Sequence, residues 1–89
     1  MRYRRTQAFA RLYRRLPHQR QETVDRAMTL LDAAFQSGRP AGGLGLKALR
    51  RGLWEIRCGL LDRVVFARAD DLAEFLVVGT HDEIRRFLK

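Results

Sequence analysis

One cysteine, one serine and two lysines are all that this chain has of those residues, and each scarcity removes a class of protein. The lone cysteine, Cys58, cannot form an internal disulfide or build a cysteine-based zinc site, and it fits a reducing compartment. The lone serine, Ser37, falls where a helix pattern ends, so a serine hydrolase has no support. No apolar run approaches the ~20 residues needed to span a bilayer. The first residues carry charge with no apolar segment behind them, unlike a secretory signal. Metal-ligand spacing is missing too: His81-Asp82-Glu83 lacks the helical i, i+4 histidine pairing of zinc enzymes, and Asp70-Asp71 reads as a turn. These absences predict a soluble cytoplasmic protein with no membrane partner and no metal or other cofactor.

What the chain has in excess is arginine, which makes up sixteen of its eighteen cations. The formal net charge is +8. Arginine presents a rigid fork of donors that fits phosphate in a bidentate way. A surface of this kind attracts nucleic acid, anionic lipid or an acidic protein. At 89 residues the chain has room for one small core, so residues 1–89 are expected to form one domain.

The periodicity changes along the chain. Residues 2–6 have the composition of a short strand. Phe9, Leu12, Tyr13 and Leu16 then recur at i, i+3, i+4, i+7, one face of a helix that Pro17 stops. A second helix is expected over 19–36, with Val24, Ala27, Met28, Leu31, Ala34 and Phe35 on its inner face and Ser37-Gly38 as its end. The two form a helical hairpin around Pro17, where His18 is structural or exposed. Residues 38–52 are expected to be an irregular link. It contains neither a Walker A sequence nor G-x-G-x-x-G, so its glycines serve turns. Lys47, Arg50 and Arg51 within it form a compact basic patch.

After Gly52 the period becomes two. Trp54, Ile56 and Cys58 face one side of a strand, and Glu55 and Arg57 the other. A second strand covers 63–68. The third, 72–79, is apolar enough to be buried on both faces. Thr80-x-x-Glu83 has capping-box spacing, followed by Ile84, Phe87 and Leu88 on one face of a short C-terminal helix. The expected class is α+β: an N-terminal helical hairpin packed on a small antiparallel sheet of three to four strands.

The order of these pieces resembles the RelE/ParE superfamily of bacterial toxin–antitoxin systems. The resemblance covers nearly the whole chain. It rests on the helical hairpin, the glycine-rich basic link, "WEIR" with Arg57, "DRVVF" with Arg63 opening the strand, and "LVVGTH" with Gly79-Thr80-His81 at the strand exit. "VGTH" is most similar to toxins of the YafQ and YoeB kind, and "LWEIR" followed by "DRVVF" to the HigB kind. The resemblance implies a type II toxin that cleaves messenger RNA, usually on the ribosome, without a metal. It also implies a cognate antitoxin whose acidic or amphipathic segment masks the basic surface, in a hetero-oligomer with the toxin. A ParE-like toxin would instead inhibit DNA gyrase. A third reading is an RNA-binding domain of the same fold without catalysis.

Metal-free RNA cleavage needs a group to take the 2′-hydroxyl proton, cations to hold the charge developing on phosphorus, and a group to protonate the leaving 5′-oxygen. Glu55 and Arg57 share a strand face, Arg63 begins the next strand, and His81 leaves the third. Arg57 and Arg63 suit the scissile phosphate. His81 suits general acid or base work, because histidine ordinarily titrates near neutrality. Glu55 is either a second proton carrier or a salt-bridge partner that orients Arg57. Lys47, Arg50 and Arg51 are candidate RNA contacts. Two positions depart from the RelE pattern. Phe87 stands where RelE-like toxins often carry a tyrosine, and it would either stack on a base or close the core with Ile84. His81 stands where RelE proper has arginine.

Overall fold

Phe9, Leu12 and Tyr13 give α1 (Gln7–Arg15) its inner face, and Leu16 at its C-cap packs against the same core. Thr6 caps it, accepting the Phe9 N–H at 3.0 Å. Pro17 lies between α1 and α2 (His18–Ser37), and Gly38 ends α2 in the left-handed conformation (φ 70°), as the sequence predicts. The computed structural model describes residues 1–39 and 42–89. The part of the expected irregular link at Pro40 and Ala41 lies outside the described residues.

The strands are β1 (Arg2–Arg5), β2 (Lys47–Arg50), β3 (Leu53–Cys58), β4 (Asp62–Ala69) and β5 (Leu72–Thr80), and α3 (His81–Leu88) follows. They form one sheet in the order β1-β5-β4-β3-β2. The α+β class is as expected, but the strand count and direction differ from the sequence reading. Among the described residues the sheet has five strands, and it is mixed rather than antiparallel, because β1 runs parallel to β5. Nothing near residues 2–5 signals that direction, since the partner of Arg5 is Phe75 at the far end of the chain. The second difference is β2. Residues 47–50 fall in the segment expected to be irregular, yet they pair antiparallel with β3. Lys-Ala-Leu-Arg has little strand character of its own; the free edge of β3 supplies the hydrogen-bonding partners.

The two sheet faces carry separate cores. Ile56, Cys58, Val64, Phe66, Phe75 and Val78 lie in one cluster with Phe9 of α1 and Val24, Ala27 and Leu31 of α2. Burying a residue such as Phe66 contributes on the order of 1.5–3 kcal/mol. Trp54 packs against this cluster, in keeping with its expected core role. On the other face Val65, Val77 and Ile84 are buried, with Leu49 and Leu88 packed against them. Thus α3 covers this second face, where Leu12 of α1 also packs against the cluster. A bulge shifts the register between Val65 and Phe66, so that Val65 faces Val77 while Phe66 faces Phe75. That puts Phe75 and Val77, two residues apart in the chain, on opposite faces of the sheet.

Candidate functional site

The site is fixed by register. Arg57 of β3 lies directly opposite Arg63 of β4, and Arg63 lies opposite Gly79 of β5. Glu55 is two residues before Arg57 and on the same face. His81 is two residues beyond Gly79, as the first residue of α3. The register therefore brings Glu55, Arg57, Arg63 and the start of α3 to one end of the sheet.

Their environments differ. Glu55 is buried, its side chain only 5% exposed, and its Oε2 accepts a hydrogen bond from Arg63 Nη1 at 3.2 Å. The ion pair thus runs diagonally across the strands to Arg63; it does not join Glu55 to Arg57. A salt bridge orienting Arg57, one of the two roles expected for Glu55, is not made: the arginine of the next strand reaches the buried Glu55 carboxylate instead. Arg57 is exposed, and its guanidinium makes no hydrogen bond among the described residues. Its aliphatic stem lies against Gly45, where an added Cβ would stand 3.1 Å from Arg57 Cγ and Cδ. Gly45 has φ +59°, so both its conformation and its neighbour favour glycine. The Arg57 backbone N–H donates to Leu44 O at 2.6 Å, which holds this segment beside β3.

His81 is exposed and, among the described residues, forms no hydrogen bond or ion pair. It neighbours the arginines in register without being bonded to them. The capping box is fully formed: Thr80 N–H donates to Glu83 Oε1 at 2.8 Å, and Glu83 N–H donates to Thr80 Oγ1 at 3.4 Å. A Cβ at Gly79 would stand 2.8 Å from that Glu83 oxygen, so glycine there leaves the Glu83 side chain room to make the cap. Thr80 and Glu83 thus start α3, and His81 is left as the outward-facing member of the "GTH" exit.

The other expected contacts are dispersed. Lys47 is opposite Glu55 in register but exposed and not paired with it. Arg50 donates to Leu88 O at 2.5 Å and so ties the end of α3 to β2. Arg51 is in the turn before β3, beside Arg4, Arg68 and Glu74 in a shallow cleft. Lys47 and Arg50 thus lie on the edge strand β2 and Arg51 in the turn beyond it, in place of the irregular link expected. Phe87 is 48% exposed on α3, so it does not close the core with Ile84; Leu88 does. His18 is exposed at the start of α2 and pairs with Glu22 at 2.7 Å.

One pair escapes the sequence reading. Asp62, buried to 1% side-chain exposure, accepts two hydrogen bonds from Arg20 of α2, at 2.8 and 2.5 Å. This anchors the first residue of β4, the one before Arg63, to α2. The signal was available: Asp62 alternates with Val64 and Phe66, and a carboxylate in phase with core residues demands a cation. The bond to Asp62 raises the Arg20 guanidinium above its ordinary value. Burial, with the Asp62 charge added, pushes the neighbouring Cys58 thiol up to about 12, so it carries no nucleophilic thiolate near neutral pH.

No family model matches the sequence, and no curated protein sequence matches it. Solved structures do. The chain is similar to a variant of YafQ from E. coli, with a TM-score of 0.71 and 15% identity over 94% of this chain and 98% of that one. It is similar to the RelB-RelE antitoxin-toxin complex from Methanococcus jannaschii, with a TM-score of 0.70 and 15% identity over 97% and 99% of the two chains. It is also similar to a YoeB/ParE toxin from Agrobacterium tumefaciens, with a TM-score of 0.68 and 19% identity over 91% and 99%. At these identities the likeness is one of fold, and the fold is RelE-like.

Proposed function

We propose that this chain, with its RelE-like fold, is the toxin of a type II toxin–antitoxin pair and a metal-free endoribonuclease acting on ribosome-bound mRNA in the cytoplasm. The observation that carries the reading is the juxtaposition of Arg57, Arg63 and the His81 helix start by strand register. Residues 1–89 act as one toxin domain. The antitoxin partner is supported by the solved RelB-RelE antitoxin-toxin complex of the same fold.

In this reading the two guanidiniums bind the scissile phosphate. The 2′-oxygen attacks phosphorus, the bond to the 5′-oxygen breaks, and the products are a cyclic phosphate and a free 5′-hydroxyl. One proton leaves the 2′-hydroxyl and one reaches the 5′-oxygen. Histidine is the side chain suited to that exchange near neutral pH, which assigns it to His81. Glu55 holds Arg63 in place through their ion pair and is assigned the remaining share of the proton work. Among the described residues Arg57 has no competing partner, which suits it to bind phosphate. Lys47, opposite Glu55, and Phe87, by stacking its exposed ring on a base, serve as RNA contacts, while Arg50 and Arg51 would meet the RNA backbone farther along β3 from the scissile phosphate.

The test is cleavage of mRNA on programmed ribosomes by the purified chain, with and without a chelator. The reading expects chelator-resistant cuts that Arg57→Ala and His81→Ala abolish. Intact mRNA together with inhibited gyrase supercoiling would replace it with the ParE-like alternative. Tight RNA binding without cuts would leave a non-catalytic domain.

A further inference from the structure

The strand registers align two neighbouring rows across the sheet. In one row Arg57 of β3, Arg63 of β4 and Gly79 of β5 lie side by side. In the next, Cys58, Asp62 and Thr80 lie side by side. Each residue of the second row adjoins a site residue in the chain: Cys58 follows Arg57, Asp62 precedes Arg63, and Thr80 precedes His81. Successive strand residues take opposite faces. Cys58 and Asp62 therefore point to the face that α2 covers, and Arg57 and Arg63 point away from it.

The first turns of α2 hold this second row from behind. Arg20 Nε and Nη2 donate to the two carboxylate oxygens of Asp62 at 2.8 and 2.5 Å. Such a bidentate pair fixes direction as well as distance. Three residues along α2, Thr23 meets the chain as it leaves β3: a Cβ added at Gly59 would stand 2.8 Å from Thr23 Cγ2. On the β5 side, Arg20 shares a cleft with Thr80 and Glu83, the two residues that cap α3 and set where His81 begins. The start of α2 thus lies against the roots of all three site residues, on the opposite side of the sheet from the arginines.

We propose that Arg20 is a positioning residue: by gripping Asp62 from the α2 side of the sheet it sets the spacing of Arg57, Arg63 and His81, and with it the affinity of the two guanidiniums for a phosphate group. If Arg20 only neutralised a buried carboxylate, an apolar pair in place of Arg20 and Asp62 would serve as well. A positioning role differs, because apolar side chains pack without fixing a direction. A misplacement of about 1 Å is enough to slow a reaction about a hundredfold. The effect on RNA cleavage rests on the nuclease reading; the effect on phosphate binding does not.

The experiment combines Arg20→Met with Asp62→Leu in the full chain and titrates the isotope-labelled protein with inorganic phosphate, read at the Arg57 and Arg63 Nε–H signals. One charge of each sign is removed, so the net charge is unchanged and a loss of phosphate affinity reports geometry. The double variant is expected to unfold near the parent's urea midpoint. It is expected to bind phosphate about threefold or more weakly and to cleave RNA about tenfold or more slowly, with the loss in kcat. Arg20→Lys keeps the charge without the fork; it is the second variant should the first not fold, and it too is expected to lose phosphate affinity. Parent-like phosphate binding by a folded variant would overturn the proposal, as would arginine signals in the parent that ignore phosphate. Phosphate binding that depends on Arg20, in a chain that cuts no RNA, would sink the nuclease reading and leave the positioning role standing.

Discussion

Arg57 and Arg63 stand directly opposite each other on neighbouring antiparallel strands, and among the described residues only Arg63 has an acid to answer it. Like charges in that position work against the strand pair, by roughly 0.2–1 kcal/mol. The arrangement makes sense if an anion is meant to lie between them.

Removing the repulsion therefore stabilises the free protein. At low ionic strength Arg57→Ala is expected to raise stability by about 0.5 kcal/mol, a gain that fades as salt screens the pair. The same variant loses the stabilisation that inorganic phosphate gives the parent chain. Thermal melts across a phosphate titration measure both effects.

Arg63 behaves oppositely, because its loss strands a buried carboxylate. Arg63→Ala is expected to cost about 3 kcal/mol, and replacing Glu55 and Arg63 together by methionine to recover most of it. Urea melts of the single and double variants decide the matter. Equal stability of Arg63→Ala and the parent would show that Glu55 has another route to solvation.

Gly45 touches no reacting group in this account, yet it shapes the site through the Arg57 stem. Gly45→Ala places a methyl in a left-handed backbone position and 3.1 Å from Arg57 Cγ and Cδ. A stability loss of about 1 kcal/mol is expected, with a larger proportional fall in the cleavage rate as the guanidinium is displaced. Paired unfolding and cleavage measurements on the variant separate the two.

The start of α3 is acid-sensitive. The Thr80 N–H that Glu83 accepts, assisted by the Thr80 hydroxyl and the nearby charges of Arg86 and Arg20, holds the Glu83 carboxyl below its ordinary range. A depressed carboxyl stabilises the fold above its unfolded pKa and loses that contribution as pH falls through the lower, folded value. The advantage of the parent over Glu83→Gln is thus expected to be full at neutral pH and to shrink below about pH 4, read from melts across that range.

The sequence was informative where a residue's neighbours in the chain decide its place. Alternation put Glu55 and Arg57 on one strand face, and Thr80-x-x-Glu83 announced the cap of α3. It was silent where a distant segment decides. Residues 47–50 become a strand because β3 has a free edge, and β1 runs parallel because β5 receives it. Glu55 pairs with Arg63 rather than Arg57 because the diagonal reach across two strands outweighs proximity in the chain. Asp62 was legible as a carboxylate in phase with the core, but its partner Arg20 lies on a different element altogether.

The most direct measurement of the central claim is a transcriptome-wide map of RNA 5′ ends after inducing the chain in a bacterial host that lacks its antitoxin. The account predicts new cuts inside translated codons, absent with His81→Ala and with Arg57→Ala while both variants remain folded. Growth arrest with unbroken mRNA, or cuts that persist in both variants, would contradict it.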